Sequence, residues 1–254
     1  MILFESLLVA FSTYSALPMP QFEWNRRNMR YAICFFPVVG LVCGLALLGW
    51  HQLCRWQQVG EVFFAAGAVI LPLLLTGGIH MDGYMDTVDA LSSHQPKERK
   101  LEILKDSHCG AFAILYCGIY LVAQLGLWAE LYRTGLAGSL WPLFILSRAF
   151  SSFSAVNLPN ARGSGMLCAY TENTHRWKAS AAAIFFVVLG SAALACLAPL
   201  AGSAAVAGGL LGAILCICLA TKEFGGVTGD ICGFLLQICE IGCLAGAWIG
   251  GVLA

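Results

Sequence analysis

Eight apolar stretches, each about 18 to 23 residues long, account for most of the 254-residue chain. A helix of about 20 apolar residues crosses the hydrocarbon core of a bilayer, so each stretch has the length of a transmembrane span. Only 11% of the residues are charged, whereas a soluble domain carries about 25%. We therefore predict an all-α, polytopic transmembrane helical bundle that forms one domain over residues 1–254. The stretches are 1–18, 31–53, 62–79, 111–131, 138–158, 179–198, 204–221 and 231–253.

The first stretch is the weakest of these, which leaves the predicted number of spans at seven or eight. It contains Glu5 and several hydroxyl residues, and it ends at Pro18 and Pro20. A full span and a re-entrant or interfacial helix are both compatible with this pattern. Because the stretch lacks the basic start of a secretory signal peptide, it is interpreted as a retained segment.

Lysine and arginine lie almost entirely in alternate loops, which predicts the orientation of the chain. Eleven of the fourteen are in four loops, and two, Arg55 and Arg133, are in the opposite loops. Cytoplasmic loops of membrane proteins carry the excess of these residues. We therefore predict a multi-pass membrane protein whose four cation-rich loops, with any site they carry, face the cytoplasm. The loops predicted to be cytoplasmic are 19–30, 80–110, 159–178 and 222–230.

Charge and cysteine usage exclude two further classes of protein. The formal net charge is zero, and no basic run resembles a surface that follows nucleic-acid phosphates, so no nucleic-acid partner is expected. Most of the twelve cysteines lie inside apolar stretches without a C-x-x-C pair. We expect them to be thiols that pack as small apolar side chains, and no disulfide framework is predicted.

An acidic segment follows the third stretch and carries the strongest chemical signal. Asp82, Asp86 and Asp89 are four and three residues apart, so a helix would place all three on one face. No Lys or Arg lies within the segment, and a divalent cation such as Mg²⁺, which prefers oxygen ligands, would relieve the repulsion between the carboxylates. A solvated loop is the alternative interpretation. His80 is a weaker candidate, because Mg²⁺ prefers oxygen to nitrogen.

Two other cytoplasmic segments contain candidate phosphate contacts. Glu102, Lys105 and Asp106 would share a helical face, where Lys105 could meet a phosphate and Asp106 could add to the metal shell or receive a proton. On residue types alone, an ordinary surface ion-pair helix is the better explanation. Arg162 beside Gly163 and Gly165 suits phosphate recognition, and anchoring by a cytoplasmic cation is the alternative.

Charged residues inside the apolar stretches indicate a further site. Arg148 and Glu240 each lie within a predicted span, where an ionisable group is costly and usually functional. The glycines around Thr228, Gly229 and Asp230 predict an irregular turn at a helix start, which can hold phosphate on backbone amides. Packing between small residues is the alternative explanation of the glycines, although it leaves Asp230 and Glu240 unexplained.

These segments together resemble the cobalamin synthase family (adenosylcobinamide-GDP ribazoletransferase), and the resemblance runs from end to end. Two positions depart from the family pattern: Tyr14-Ser-Ala16 stands where an Arg usually precedes the first Leu-Pro, and Asn160 replaces the Tyr common before Ala-Arg. The matching stretches are Leu17-Pro-Met-Pro20, Phe36-Pro-Val-Val-Gly40, Gly77-Gly-Ile-His80-Met-Asp82-Gly-x-x-Asp86-Thr-x-Asp89, Leu101-Glu102-Ile-Leu-Lys105-Asp106-Ser107, Ser147-Arg148, Ala161-Arg162-x-x-Gly165, and Gly225-Gly-Val-Thr228-Gly229-Asp230-x-x-Gly233 with Glu240.

The resemblance implies a Mg²⁺-dependent transfer of the adenosylcobinamide phosphate arm of adenosylcobinamide-GDP to α-ribazole or its 5′-phosphate, with release of GMP. It implies a prokaryotic cytoplasmic membrane as the location. Other enzymes of nucleotide-loop assembly and a second copy of the chain are candidate partners.

The candidate residues fall into three groups on this interpretation. Asp82, Asp86 and Asp89 are assigned to Mg²⁺, and Asp230 either completes the metal shell or acts as general base. Arg162 and Lys105 are candidates for diphosphate contacts, and Arg148 with Glu240 could form a buried pair that shapes the site. The predicted catalytic residues are Asp82, Asp86, Asp230 and Lys105, and the predicted substrate-binding residues are Arg148, Arg162, Thr228, Gly229, His80, Asp106 and Glu240.

Two other functions remain open from the residues. A CDP-alcohol-type membrane phosphotransferase also uses aspartates at helix ends with Mg²⁺, but its Asp-Gly-x-x-Ala-Arg pattern is absent here. An ion-coupled transporter would place its acids near the bilayer midplane, whereas only Arg148 and Glu240 fit that pattern.

Overall fold

The computed structural model describes residues 2–20, 25–106 and 108–253, and the ordered elements of these residues are helices. Ser107 of the predicted phosphate-contact segment lies outside the described residues. Short 3₁₀ turns at Ala32–Phe35 and Ala137–Ser139 precede α3 and α8. The α-helices are α1 (Ile2–Tyr14), α2 (Arg26–Met29), α3 (Phe36–Trp56), α4 (Glu61–Thr76), α5 (Ile79–Ser92), α6 (Lys97–Ile103), α7 (Ala111–Arg133), α8 (Leu143–Asn157), α9 (Met166–Asn173), α10 (Arg176–Leu197), α11 (Pro199–Phe224) and α12 (Gly229–Val252).

Within the described residues, five helices are long and apolar enough to cross a membrane: α3 with its preceding 3₁₀ turn, α7, α10, α11 and α12. The pair α4 and α5 qualifies as a sixth span if it is counted as one broken helix. The all-α, multi-spanning class is confirmed, and the predicted seven or eight spans are roughly consistent with this count. The difference comes from α1 and α8, which have only 13 and 15 residues.

A sharp bend separates α4 from α5 and redirects the chain by 95°. Gly77 and Gly78 adopt the left-handed conformation, with φ of +62° and +75°, which glycine reaches without steric cost. The Gly77 amide closes the end of α4 on the carbonyls of Leu73 and Leu74. As a result α5, which carries the three aspartates, does not continue along the axis of α4.

Helix α12 lies in the middle of the bundle and packs against α5, α7, α8 and α11. Its contact with α11 is made by small residues, because Gly242 lies against the Gly208 backbone and Gly246 against Ala204. Glycine at such positions lets two helix backbones approach closely. Large apolar side chains such as Val122 and Val188 point outward instead, as expected for helices that face lipid.

Candidate active site

Helix α5 carries three aspartates on one face, as the sequence predicts. Asp82, Asp86 and Asp89 follow one another along the same side of the helix, and we call them the acid face. Asp82 is exposed, and the other two are half-buried. The opposite side of α5, which includes His80 and Thr87, is buried in the bundle. The acid face is therefore available to a ligand at one end of the bundle.

The segment before α12 is an irregular turn, as its glycines predict. Gly225 and Gly226 have φ of +71° and +155°, a region that favours glycine. Val227 then pairs with the segment around Asn160, where the Val227 amide donates to the Pro159 carbonyl over 2.8 Å. This short pairing holds the loop after α8 against the start of α12.

The first turn of α12 lies directly against α5. The Thr228 hydroxyl caps the helix by accepting a hydrogen bond from the Ile231 amide. Gly83 of α5 lies against the backbone of Asp230. A Cβ added to Gly83 would be 2.7 Å from the Asp230 carbonyl oxygen. Asp230 is thereby brought to the acid face, and its carboxylate acts electrostatically on Asp86 together with the other two aspartates.

We expect Gly83→Ala to reduce stability, because the added methyl would force α5 away from the Asp230 backbone. Overpacking of this kind costs about 1–3 kcal/mol. The measurement is the apparent melting temperature of the purified variant in detergent. Gly118→Ala is the matched control, since a Cβ at Gly118 meets no atom within 4 Å. Equal behaviour of the two variants would contradict the close contact between α5 and α12.

Arg162 joins the acidic site by pairing with Asp230 at the start of α12. Its Nη2 lies 3.1 Å from Oδ2 of Asp230, and its side chain is largely buried. Asn160 holds the turn that positions it, because the Asn160 side-chain oxygen accepts hydrogen bonds from the amides of Arg162 and Gly163. The Nε of Arg162 has no hydrogen-bond partner among the described residues. The guanidinium therefore retains a buried donor that an anionic ligand could use.

A cleft lies at the Asp89 end of the acid face, and we call it the acid cleft. This cleft has a volume of about 430 Å³ and is lined by Asp89, Asp106, His108 and Gly110, among others. The Gly110 backbone lies directly against the Asp89 carboxylate. Hydrogen bonds from the backbone and ring of His108 lower the pKa of the Asp106 carboxyl from its ordinary value. Asp106 therefore stays ionised beside Asp89.

The prediction that Glu102, Lys105 and Asp106 share a helical face is wrong. Helix α6 ends at Ile103, so Lys105 and Asp106 follow the helix rather than extend it. Asp106 accepts a hydrogen bond from the His108 amide instead, which forms a local turn that competes with helix. Glu102 pairs with Arg99 one turn earlier. The structure thus places Asp106 in the acid cleft and leaves Lys105 exposed beside it.

Arg148 and Glu240 form a buried ion pair inside the bundle. Ser147 joins the pair, because its hydroxyl lies 3.2 Å from the Glu240 carboxylate and 3.0 Å from Arg148 Nη1. All three residues are buried. The predicted pairing is therefore present, and it explains how an intramembrane arginine is accommodated.

His80 lies on the buried side of α5, away from the acid face. Its ring packs against Phe36, with ring centroids 5.4 Å apart, and its Nε2 has no hydrogen-bond partner among the described residues. It lines a small cavity with Gly229, the residue before Asp230. His80 is thus near the start of α12 but separated from the aspartates by the α5–α12 contact.

Two lysines that the sequence did not single out support the site from α6. Lys100 is buried and pairs with Glu223 near the end of α11. The Lys97 ammonium lies against the Gly225 backbone at the turn before α12. Both lie in the cation-rich loop 80–110. Their partners are far away in the chain, so no local sequence pattern predicts these contacts. They tie α6 to the turn that positions Asp230.

The chemistry of the acidic residues fits magnesium. Asp82, Asp86, Asp89 and Asp230 offer only carboxylate oxygens, and Arg162 is the sole cation paired with these four among the described residues. No three His, Cys, Asp or Glu side chains in residues 2–20, 25–106 and 108–253 point at one common position. Shared coordination therefore requires rotation of these side chains, which the exposed position of Asp82 permits.

Comparison with known proteins then connects this site to a family. The family model for cobalamin-5-phosphate synthase matches residues 6–248. The chain belongs to the cobalamin-5-phosphate synthase family. The match covers both halves of the site, the acid face of α5 and the turn before α12. No solved structure matches the chain.

Curated proteins named adenosylcobinamide-GDP ribazoletransferase are similar to this chain over most of its length. The protein of Lachnoclostridium phytofermentans is 38% identical over 93% of this chain and 90% of its own. The protein of Desulfitobacterium hafniense is 34% identical, with 96% of each chain covered. A protein of Clostridium botulinum is 31% identical over 94% of this chain and 95% of its own. These relatives favour neither a CDP-alcohol phosphotransferase nor an ion-coupled transporter.

Proposed function

We propose that this protein transfers the adenosylcobinamide phosphate arm of adenosylcobinamide-GDP to α-ribazole or its 5′-phosphate and releases GMP. The observation that carries the proposal is the contact between α5 and α12, which brings Asp230 and Arg162 to the acid face. A cluster of acids beside an arginine suits a diphosphate substrate with a divalent cation. The names of the relatives supply the identity of the substrates.

The reaction replaces a phosphoanhydride bond of the donor by a phosphate ester bond to the acceptor. A hydroxyl of the ribazole forms a bond to the phosphorus that carries the corrinoid arm, the bond from that phosphorus to the GMP oxygen breaks, and GMP leaves with the bonding electrons. Catalysis of such transfers is mainly positioning and stabilisation of charge. The residues of this site are suited to both tasks.

Each residue at the site has a separate task in this scheme. Mg²⁺ bound by Asp82, Asp86 and Asp89 would neutralise charge on the diphosphate. The Arg162 guanidinium donates to a phosphate oxygen through the Nε that has no partner among the described residues. Asp230 accepts the proton of the attacking hydroxyl or adds an oxygen to the metal shell.

The other seven predicted residues have supporting roles. The Thr228 cap and Gly229 leave the first backbone amides of α12 free for phosphate. Asp106 lines the acid cleft, and the exposed Lys105, which precedes it in the chain, would approach a phosphate from solution. His80 with Gly229, and Arg148 with Glu240, would shape the site from within the bundle rather than contact the reacting phosphorus.

The decisive experiment uses purified full-length protein in detergent with adenosylcobinamide-GDP, α-ribazole and Mg²⁺. We expect stoichiometric release of GMP and formation of adenosylcobalamin, both identified by mass. Omission of Mg²⁺ with a chelator present should abolish the reaction, and addition of Mg²⁺ should restore it. Transfer to a lipid alcohol from a CDP-linked donor, without any corrinoid reaction, would overturn the proposal.

Replacement of Arg162 by glutamine is expected to raise the KM for adenosylcobinamide-GDP by about 10- to 100-fold. A hydrogen bond to a charged group contributes about 1.5–3 kcal/mol, which corresponds to this range. The KM for ribazole should change much less, because Arg162 lies at the Asp230 end of the site. Arg26→Gln, at an exposed arginine, is the control. An unchanged donor KM would remove Arg162 from the diphosphate site.

We infer that the acid face is cytoplasmic, from the excess of cations in loops 80–110 and 159–178. Two native cysteines allow a test, because Cys109 lies in the acid cleft and Cys196 near the opposite end of α10, and both are exposed. An impermeant maleimide should label Cys109 only in inside-out vesicles and Cys196 only in right-side-out vesicles, as read by peptide mass. The reverse pattern would place the site outside the cytoplasm.

A further inference from the structure

A second cleft, which we call the aromatic cleft, opens beside the acid cleft between α5, α7 and α12. Its volume is about 480 Å³. The walls include Tyr84 of α5, Phe112 and Tyr116 of α7, and Phe234 of α12. Tyr84 and Phe234 are buried and stack, with ring centroids 5.5 Å apart and planes 19° apart. Phe112 and Tyr116 remain exposed.

The aromatic cleft and the acid cleft lie side by side. Ser92 and Phe112 line both of them, so a ligand seated in one reaches the border of the other. The aromatic cleft offers ring faces, and the neighbouring acid cleft offers the carboxylates of Asp89 and Asp106. An amphiphilic molecule with a flat aromatic part and a hydroxyl-bearing part matches this division.

The two ends of α5 contact different segments of the site. Gly83 contacts Asp230, which pairs with Arg162, whereas Asp89 contacts Gly110 at the acid cleft. Positions 83 and 89 are about 9 Å apart along a helix. A diphosphate held at the Arg162 end would therefore leave the acid cleft beyond Asp89 open to a second substrate.

Helix α5 ends at the rim of the aromatic cleft. Ser93 follows the helix, and His94 then has φ of +49°, the left-handed conformation that commonly ends a helix. His94 also lines the cleft. Aromatic residues at a membrane interface could account for Phe112 and Tyr116 alone, but they do not account for the stacked floor contributed by two other helices.

We propose that the aromatic cleft binds the planar base of the ribazole acceptor and directs its ribose toward Asp89. This inference rests on the function proposed above and adds the location of the second substrate. Phe112 and Tyr116 flank the base, and Tyr84 with Phe234 forms the floor. The ribose hydroxyls then lie in the acid cleft, next to the acid face at which the diphosphate is bound.

The test is the double variant Phe112→Leu, Tyr116→Leu in the full-length protein. Stacking of a base on an aromatic side chain contributes about 1–3 kcal/mol, so we expect the KM for α-ribazole to rise about 10-fold or more. The KM for adenosylcobinamide-GDP should stay within about twofold of the wild-type value. Phe185→Leu, at an exposed aromatic residue of α10, is the matched control and should change neither KM.

A second measurement covers the case in which the double variant does not fold. Benzimidazole should inhibit the wild-type enzyme competitively against ribazole and not against the corrinoid donor, and Tyr116→Phe, which keeps the ring, should retain the wild-type KM. Competition of benzimidazole with the donor would refute this inference. An unchanged ribazole KM in an active double variant would also refute it, and this result would be expected if lipid fills the cleft. Failure of the wild-type protein to release GMP would instead refute the proposed function.

Discussion

Replacement of Asp86 by asparagine is expected to lower turnover about 100-fold or more at saturating Mg²⁺. Asp86 is the middle residue of the acid face. The charges of Asp82, Asp89 and Asp230 act electrostatically on its carboxyl group. Asparagine keeps the size of the side chain and removes its charge, so the variant loses a ligand for the cation without a change in packing. Effects of this size are typical when a group that stabilises the transition state is removed. GMP release under single-turnover conditions measures the effect.

The control for this experiment is Glu98→Gln, which removes an exposed carboxylate from α6 in the same loop region. Its turnover should equal that of the wild type. We expect Asp82→Asn to behave like Asp86→Asn, because both side chains belong to the acid face. Full turnover of either variant would show that the acid face does not hold the catalytic magnesium.

Replacement of Arg148 by methionine is expected to destabilise the protein by about 3–5 kcal/mol. The change leaves Glu240 as a buried carboxylate without its cation, and the loss of one partner of a buried pair has this typical cost. Methionine fills a similar volume, so a cavity contributes little. The apparent melting temperature in detergent should fall by on the order of 10 °C.

Two further variants separate the charge from the packing. Arg148→Met combined with Glu240→Met removes both charges, and most of the lost stability should return. Arg133→Met breaks the exposed pair with Glu130 and should cost less than about 1 kcal/mol. Equal losses in the single buried variant and the double variant would show that packing, and not the unpaired charge, determines the effect.

Much of the site could be predicted because its signals are local. The spacing of Asp82, Asp86 and Asp89 predicts a shared helical face, and α5 confirms it. The glycines at 225 and 226 predict an irregular turn, and both adopt positive φ. The end of α6 was missed because Asp106 closes a local turn with His108, and a hydrogen bond of this kind is not visible in helical periodicity.

The location of partners could not be predicted in the same way. Lys97 lies at the turn before α12 and Lys100 pairs with Glu223, yet their sequence surroundings resemble an ordinary surface helix. The aromatic cleft is likewise assembled from a few residues each of α5, α7 and α12. Each of these residues has an unremarkable local pattern, because the feature exists only where three helices meet.

The sequence by itself determined the membrane class, the helical phase of the aspartates and the turn before α12. Composition and period depend on neighbouring residues, so they are already present in the unpacked chain. The tertiary structure alone decided that Gly83 meets Asp230, that Arg162 joins the acid face and that two clefts meet at Phe112. These contacts depend on how helices from distant parts of the chain pack, which follows from the close fit of small side chains and not from any local pattern.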